Sequence, residues 1–497
     1  MKKLTHKNLV ELGQLLGYPL IKDGGLCHGF SCMLMQAILA QEEPQFWQRL
    51  KLIEAYDDFP SLKNAIEGVK LKVKDNQEAL SLTDMELLEI PILYEGVELY
   101  LQPMTHADVL NKNKSFDDDI YRLAHPVKLE GDTISLPLDK EYAGNKDNLK
   151  NYINNLEVIL FKHPNLPILV ESINHSVLLK YNSNNTKQSW LYVDTNDFQK
   201  YPNDANYYRE LNSTELVDSL FNSLNPESEY IVFNMAVVAG STHPVNEDKS
   251  LQQFQVTNKL NKEHATIYDQ RGAGLLLIAC KNGHAEAVKL LLAQDGIEIN
   301  KENSDGETPL FMACFYGHAE AVKLLLAHPG IDINIASSKG TTPLVMACQK
   351  GHVEAVKLLL AHPGIEINKA SPDGFTPLHI ACRSLATLEN KMLFDVLLNN
   401  KADPALKNSE GKTALDIAFS HQNNAAIEAL VLFAKDKPLS LTSLMSPETQ
   451  NIALEWARDK ASKPHNNGFF ASASFSNSKD FIQQELKDTE VHCPKKM

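Results

Sequence analysis

The chain has 497 residues, 43% of them hydrophobic and 22% charged, with a formal net charge of −15. That length calls for about three domains of roughly 150 residues. The acid excess argues against a general nucleic-acid binder, which concentrates Lys and Arg against phosphate, and leaves room for a local basic patch. No run approaches the roughly 18 uninterrupted apolar residues of a membrane span, and the opening MKKLTHKNLVELG lacks the apolar stretch of a cleaved signal peptide.

The first informative stretch is DGGLCHGFSCMLMQAIL, residues 23–39. Phe30, Met33, Leu34, Ala37 and Ile38 follow the spacing of one helical face, and Gly24 and Gly25 break structure before it. This places Cys27 at a helix N-terminus, where unpaired amides and the dipole favour a thiolate. Cys32 falls inside the helix as core packing. His28 adjoins Cys27 but points elsewhere on the helix and is a poor base for it. The segment LSLTDMELLEIPILYEGVELYLQP alternates helical and strand-like patterns, and KNKSFDDDI reads as a charged loop. His106, His125 and His163 are not grouped with other ligands, so no metal site is expected, and no cofactor-binding loop is present.

A partner for Cys27 comes from PILVESINHSVLLKYNSNNTKQSWLYVDTND. HSVLLKY and SWLYVD read as strands flanking a polar turn, NSNNTKQ. Centring the hairpin between Asn184 and Asn185 sets Val177 opposite Tyr192, Leu179 opposite Trp190 and His175 opposite Asp194. Such pairs share a sheet face with Cβ atoms about 5 Å apart. Asp194 would then orient His175 and stabilise its imidazolium, as the third member of a triad does. Asn196 and Asp197 are the alternates if the register slips.

The string Cys27-His28-Gly29-Phe30-Ser31, with His and then Asp following on successive strands, resembles the papain-like cysteine peptidases. It looks most like those that bacterial pathogens inject into host cells. The resemblance implies an α+β papain-like domain over residues 1–240, with Cys27 as nucleophile, His175 as base and then acid, and Asp194 as orienter. One departure stands out. The oxyanion-hole Gln of the family has no counterpart before Cys27, leaving Asp23 or the backbone amides from Gly25 to Cys27; loss of one such donor costs on the order of 10²–10³ in rate.

Residues 241–267 are polar and weakly patterned, which suits a linker or a short capping helix. Beyond them Gly272, Gly306, Gly340 and Gly374 recur every 34 residues, and Cys280, Cys314, Cys348 and Cys382 keep the same step. In each full copy Thr-Pro opens one helix, Gly-His turns the chain, and AVKLLL buries a second. No copy buries its apolar face alone, so the copies must stack. These motifs resemble ankyrin repeats, an all-α solenoid over residues 268–435 with four copies and a degenerate fifth at Gly411.

The resemblance implies protein partners, bound through the turn tips and first-helix surface. Phe315, Tyr316, Gln349, Lys350 and Arg383 project there, and Phe315 with Tyr316 reads either as a partner anchor or as packing against the next repeat. Asn300, Asn334 and Asn368 match the ankyrin position that host asparaginyl hydroxylases modify, or else hold the turn by side-chain hydrogen bonds. The repeat histidines read as structural turn hydrogen-bonders. After the array, SPETQNIALEWARDKA reads as a helix with Ser446 as cap, Pro447 in its first turn and an Ile452–Trp456 pair. The last residues, with Glu485, Asp488 and Glu490, form a helical or disordered tail similar to the export signals of type IV secretion substrates.

Together these features look like a bacterial effector delivered by secretion machinery to the host cytoplasm or nucleus, holding host proteins through its repeats and carrying a thiol hydrolase-like site. A catalytically inactive adaptor, and a deamidase or acyltransferase using the same three residues, are the alternatives.

Overall fold

A computed structural model describes residues 4–18, 23–75, 80–101, 134–172, 175–184, 187–197, 207–225, 228–240, 242–257, 260, 262–384, 391–437, 439–462 and 481–486. The chain divides into two units, one reaching to about Ile278 and the other holding most of the repeats.

The first unit begins with five helices: α1 (His6–Leu16), α2 (Asp23–Leu39), α3 (Glu43–Glu54), α4 (Phe59–Asp75) and α5 (Leu82–Leu101). The segment expected to mix helix and strand is one helix, α5. Ser81 caps it by accepting from the Asp84 amide, and Pro91 lies inside it, its carbonyl accepting from the Tyr18 hydroxyl. A Pro removes one intrahelical donor, which is what broke the pattern in sequence. The helix α2 starts at Asp23, so Gly24 and Gly25 belong to it rather than precede it. Leu26, Cys27, Phe30, Cys32, Leu34 and Met35 are all buried. A helix apolar around most of its circumference belongs in an interior. At Gly29 an added Cβ would stand 2.7 Å from Val97 Cγ1 and 2.9 Å from the Val97 carbonyl oxygen. That glycine lets α2 and α5 touch.

The sheet follows: β1 (Ile134–Asn145), α6 (Lys146–Leu160), β2 (Pro167–Glu171), β3 (Ser176–Asn184), β4 (Lys187–Val193), β5 (Arg209–Leu211), α7 (Ser213–Leu224), β6 (Tyr230–Gly240) and α8 (Lys249–Thr257). Its strands run β1-β6-β2-β3-β4-β5, every pair antiparallel. Alternation divides the strands between two cores. Val177, Leu179, Tyr181, Trp190 and Tyr192 face α6, α7 and α8, whereas Leu178, Leu191 and Val193 face α1–α5. The result is helices on both faces of an antiparallel sheet. The stretch expected as linker or cap contributes α8, whose Leu251 and Phe254 enter the first of these cores; the Phe254 ring lies 4.8 Å from that of Tyr152.

The β3–β4 register differs from the expected one. Leu179 pairs with Tyr192 and Tyr181 with Trp190, and the ladder runs on to Asn184 opposite Lys187. Most of the polar residues assigned to the turn are strand residues, because backbone pairing continues past the apolar core. The slip is two residues. A slip of one exchanges faces and a slip of two restores them, so His175 and Asp194 keep the same side.

In the second unit the helices come in pairs: Leu275–Asn282 with Ala285–Leu292, Pro309–Tyr316 with Ala319–Leu326, Pro343–Lys350 with Val353–Ala361, Pro377–Arg383 with Lys391–Asn399, and Ala414–Ser420 with Asn424–Asp436. Thr308, Thr342 and Thr376 cap as expected, accepting from the amides of Phe311, Val345 and His379. Gly317 and Gly351 end their helices at φ of 80° and 75°, which costs glycine little. A last helix, Pro447–Ser462, packs on the fifth pair through Ala453, Leu454 and Ala457. Trp456 meets Phe419 edge-on at 6.0 Å, but its expected partner Ile452 is 47% exposed. The loop residues 385–390 and most of the tail, Asp488 and Glu490 included, lie outside the described residues, as do His106 and His125.

Candidate functional site

Cys27 sits in the second turn of α2 and is only 3% exposed. It lies one residue past the four amides left free at a helix start, so the dipole is weaker there than the expected position at the helix N-terminus required. Side chains do more. The Thr195 hydroxyl donates to Cys27 Sγ at 3.0 Å. The His6 ring nitrogens stand 4.0 Å from the sulfur, and His175 acts on the thiol as well. Burial alone would push this thiol up. The His175 hydrogen bond, then that of His6, and the charge of both rings overcome it, and the thiol falls to about 6.

His175 lies one residue before β3, and Asp194 one residue after β4. Antiparallel pairing brings those two strand ends together. The His175 carbonyl accepts from the Ser172 amide at 2.9 Å, which pins the chain as it enters β3. His175 Nε2 meets Asp194 Oδ1 at 3.0 Å. Burial would lower this imidazole, but the hydrogen bond to Asp194, the bond to Cys27 and both negative charges raise it to about 10.

Asp194 is itself held ionised. Burial opposes its charge, and the His175 contact, Ser223 and the Asn196 amide overcome that, so its pKa lies below the usual carboxylate range. The Asn196 N–H donates to Oδ1 at 2.8 Å and the Tyr192 hydroxyl to Oδ2 at 3.3 Å. A thiol, an imidazole and a carboxylate from remote parts of the chain thus meet in one place. The two shifts run in opposite directions, and together they favour thiolate beside imidazolium.

The other expected site residues divide. Asp23 begins α2, but its side chain lies outside the described residues. Asn196, the alternate to Asp194, instead accepts from His6 Nδ1 at 2.7 Å. His28 turns away from Cys27: its Nδ1 pairs with Glu171 at 2.6 Å, and its Nε2 lies 3.7 Å from Cys32. Sequence reasoning missed His6 and Thr195. Thr195 directly follows Asp194, and a search for hydroxyls beside the orienting acid would have found it; nothing in the sequence links His6 to Cys27. No group of His, Cys, Asp and Glu suited to a metal occurs among the described residues. No described helix is long and apolar enough to cross a membrane.

On the array, Gln349 and Arg383 are exposed, while Phe315, Tyr316 and Lys350 are half-buried. Phe315 and Tyr316 rings lie 4.8 Å apart, Lys350 Nζ stands 4.3 Å over Phe315, and the Arg383 guanidinium stands 4.9 Å over Phe375. Lys350 of the following repeat covers part of the Phe315 face, and Arg383 covers part of the Phe375 face within its own repeat. The repeat histidines stitch neighbours together. His318 Nε2 donates to the Lys281 carbonyl at 2.9 Å, and His352 Nε2 to that of Phe315 at 3.2 Å.

The expected turn role of the asparagines is also visible. Asn300 and Asn334 donate to the carbonyls of Gly330 and Gly364, each at 2.8 Å, and accept from the amides of Asp332 and Glu366. Asn368 accepts from the Asp403 amide at 3.0 Å.

Residues 246–337 and 334–408 each match a family model described as ankyrin repeats (3 copies). A comparison with curated proteins gives no match. The array therefore implies protein partners, whereas the first unit is described by its own geometry.

Proposed function

We propose that this protein is a thiol acyl-transfer enzyme of papain-like type, brought to its protein target by the ankyrin array. The observation that carries the reading is the Cys27 thiol, held at about 6 by His175, which is aimed in turn by Asp194 at 3.0 Å. In the scheme the Cys27 thiolate adds to an amide or ester carbonyl. The His175 imidazolium gives its proton to the departing amine or alcohol, leaving a thioester and neutral imidazole. His175 then takes a proton from the incoming nucleophile, and the thioester bond breaks to regenerate thiolate and imidazolium. Water as nucleophile makes a protease or, on a side-chain amide, a deamidase; an amine makes an acyltransferase. Asp194 keeps the imidazole oriented throughout; a carboxylate only accepts, so Asp23 is no donor, and the free amides at the start of α2, those of Gly25 and Leu26, are the candidate oxyanion donors.

A peptide vinyl sulfone tests the reading. Thiolate adds to the alkene carbon and the imidazolium protonates the resulting carbanion. One adduct per chain on Cys27, absent in Cys27→Ala and strongly slowed in His175→Ala, is expected; labelling indifferent to His175 would overturn it.

The adaptor reading draws on the burial of Cys27, at 3% exposure. It requires capture of host protein to depend on Phe315 and Tyr316, with no adduct at Cys27. The effector role, with delivery into the host cytoplasm or nucleus, draws on the tail around Glu485, Asp488 and Glu490 and is tested by a translocation reporter with and without those residues. Hydroxylation of Asn300, Asn334 or Asn368 is tested by mass spectrometry of protein recovered from host cells.

A further inference from the structure

One turn carries the partners of two imidazoles. Residues Thr195–Asp197 form a short 3₁₀ turn directly after Asp194. Asp194 accepts from His175, and two residues later Asn196 Oδ1 accepts from His6 Nδ1 at 2.7 Å. Between them Thr195 donates to the sulfur. Both His6 ring nitrogens stand 4.0 Å from the sulfur; an amide oxygen only accepts, so Nδ1 carries the hydrogen that it donates to Asn196, and Nε2 is the position that gains or loses a proton. The ring is also fixed from its own side. Thr5 caps α1 by accepting from the Asn8 amide at 2.9 Å, the Leu4 amide donates to Glu54 at 3.0 Å, and the Tyr94 hydroxyl donates to the Leu9 carbonyl at 3.0 Å.

We infer that His6 is a second imidazole of the thiol site: a positioning residue, aimed by Asn196, that shares the Cys27 thiolate with His175. The inference rests on the thiol-site reading above and adds a residue to it. Among the described residues, the ionisable groups facing the sulfur are His6 from α1 and His175 from the start of β3, with Asp194 behind the latter. His28, on α2 itself, is committed to Glu171 and Cys32.

Two rings have a chemical use. Once His175 has given its proton to the leaving group it is neutral until the incoming nucleophile returns one. When the thioester then breaks, both rings face the sulfur, and His6 shares in offsetting the charge that returns to it.

The test is the ultraviolet titration of thiolate in the full chain, taken as the difference between wild type and Cys27→Ser, so that neither substrate nor probe access enters. Wild type is expected to titrate near 6. His6→Ala should raise the midpoint by roughly one unit, as removal of a nearby positive partner does. His175→Ala should raise it further, and the double variant should reach or pass the ordinary thiol value of about 8.5. Asn196→Ala, which leaves His6 in place but unaimed, should shift it the same way by less, and serves as the readout if His6→Ala fails to fold. A depressed wild-type midpoint left unmoved by His6→Ala in a folded protein, or by Asn196→Ala in its place, overturns the role of His6 and leaves the thiol site standing. A wild-type midpoint in the ordinary thiol range overturns both.

Discussion

The two parts of the chain bury cysteine alike and treat it oppositely. Cys314, Cys348 and Cys382 sit between repeat helices where burial pushes their thiols well above the ordinary value, with a neighbouring thiol adding to the effect at Cys314 and Cys382. Cys27 is almost as enclosed, and burial opposes its charge too, yet its thiol falls to about 6, because His175 and His6 act on the sulfur. Exposure does not separate the two classes. What separates them is the set of polar groups that the fold brings to the sulfur. In the array every contact is repeated and local, so each cysteine meets the same apolar wall. In the first unit α1, α2 and two strand ends meet once, and there one sulfur faces two imidazoles.

The largest way to break this contrast is at the carboxylate. Asp194→Asn removes the charge that holds His175 as imidazolium and should slow vinyl sulfone capture at Cys27 by on the order of 10²-fold or more, measured by intact mass against time. Capture at an unchanged rate would show that Asp194 has no part in activating Cys27. A second test uses the array. Phe315→Ala with Tyr316→Ala should reduce capture of a protein partner by at least tenfold, if these rings serve as anchors, while leaving Cys27 labelling as it is.

Stability effects come next. At Gly317 an added Cβ would lie 2.5 Å from His352 Nδ1, at a φ of 80°. Gly317→Ala should therefore cost about 1–3 kcal/mol in chemical denaturation, and His352→Ala should recover part of that in the double variant. Gly29→Ala should cost a similar amount by forcing α2 from Val97, and should disturb Cys27 along with it.

A further effect is the array's response to acid. Burial holds His318 and His352 down at about 4, against an ordinary value of about 6.5. Their contribution is full above about 6.5 and is lost as pH falls through about 4. The array's melting temperature should fall across that window, and less so in His318→Gln with His352→Gln.

Much of this was legible in the sequence, unevenly and for physical reasons. The repeats declare themselves because their determinants are local: a Thr cap, a Pro at the first helical position, and a Gly that must lack a Cβ because the next repeat's His occupies the space. The pairing of His175 with Asp194 was legible because a strand alternates with period two, so a register wrong by two residues still left them on one side. The turn length was not legible, since Asn182 to Asn184 are polar by composition yet pair as strand. The helix α5 was obscured by Pro91, and α8 by its scarcity of apolar residues, although Leu251 and Phe254 suffice to seat it. His6 carries no local signal at all. It reaches the sulfur through the packing of α1, which single-sequence periodicity does not encode.

The most direct test of the account is the rate of Cys27 alkylation by iodoacetamide as a function of pH in the intact wild-type protein, resolved by peptide. A thiolate held by imidazole predicts reaction already rising through about pH 6, with Cys314, Cys348 and Cys382 unlabelled at neutral pH. A Cys27 rate that rises only near the ordinary thiol value of about 8.5, or that lags behind the repeat cysteines, would contradict it.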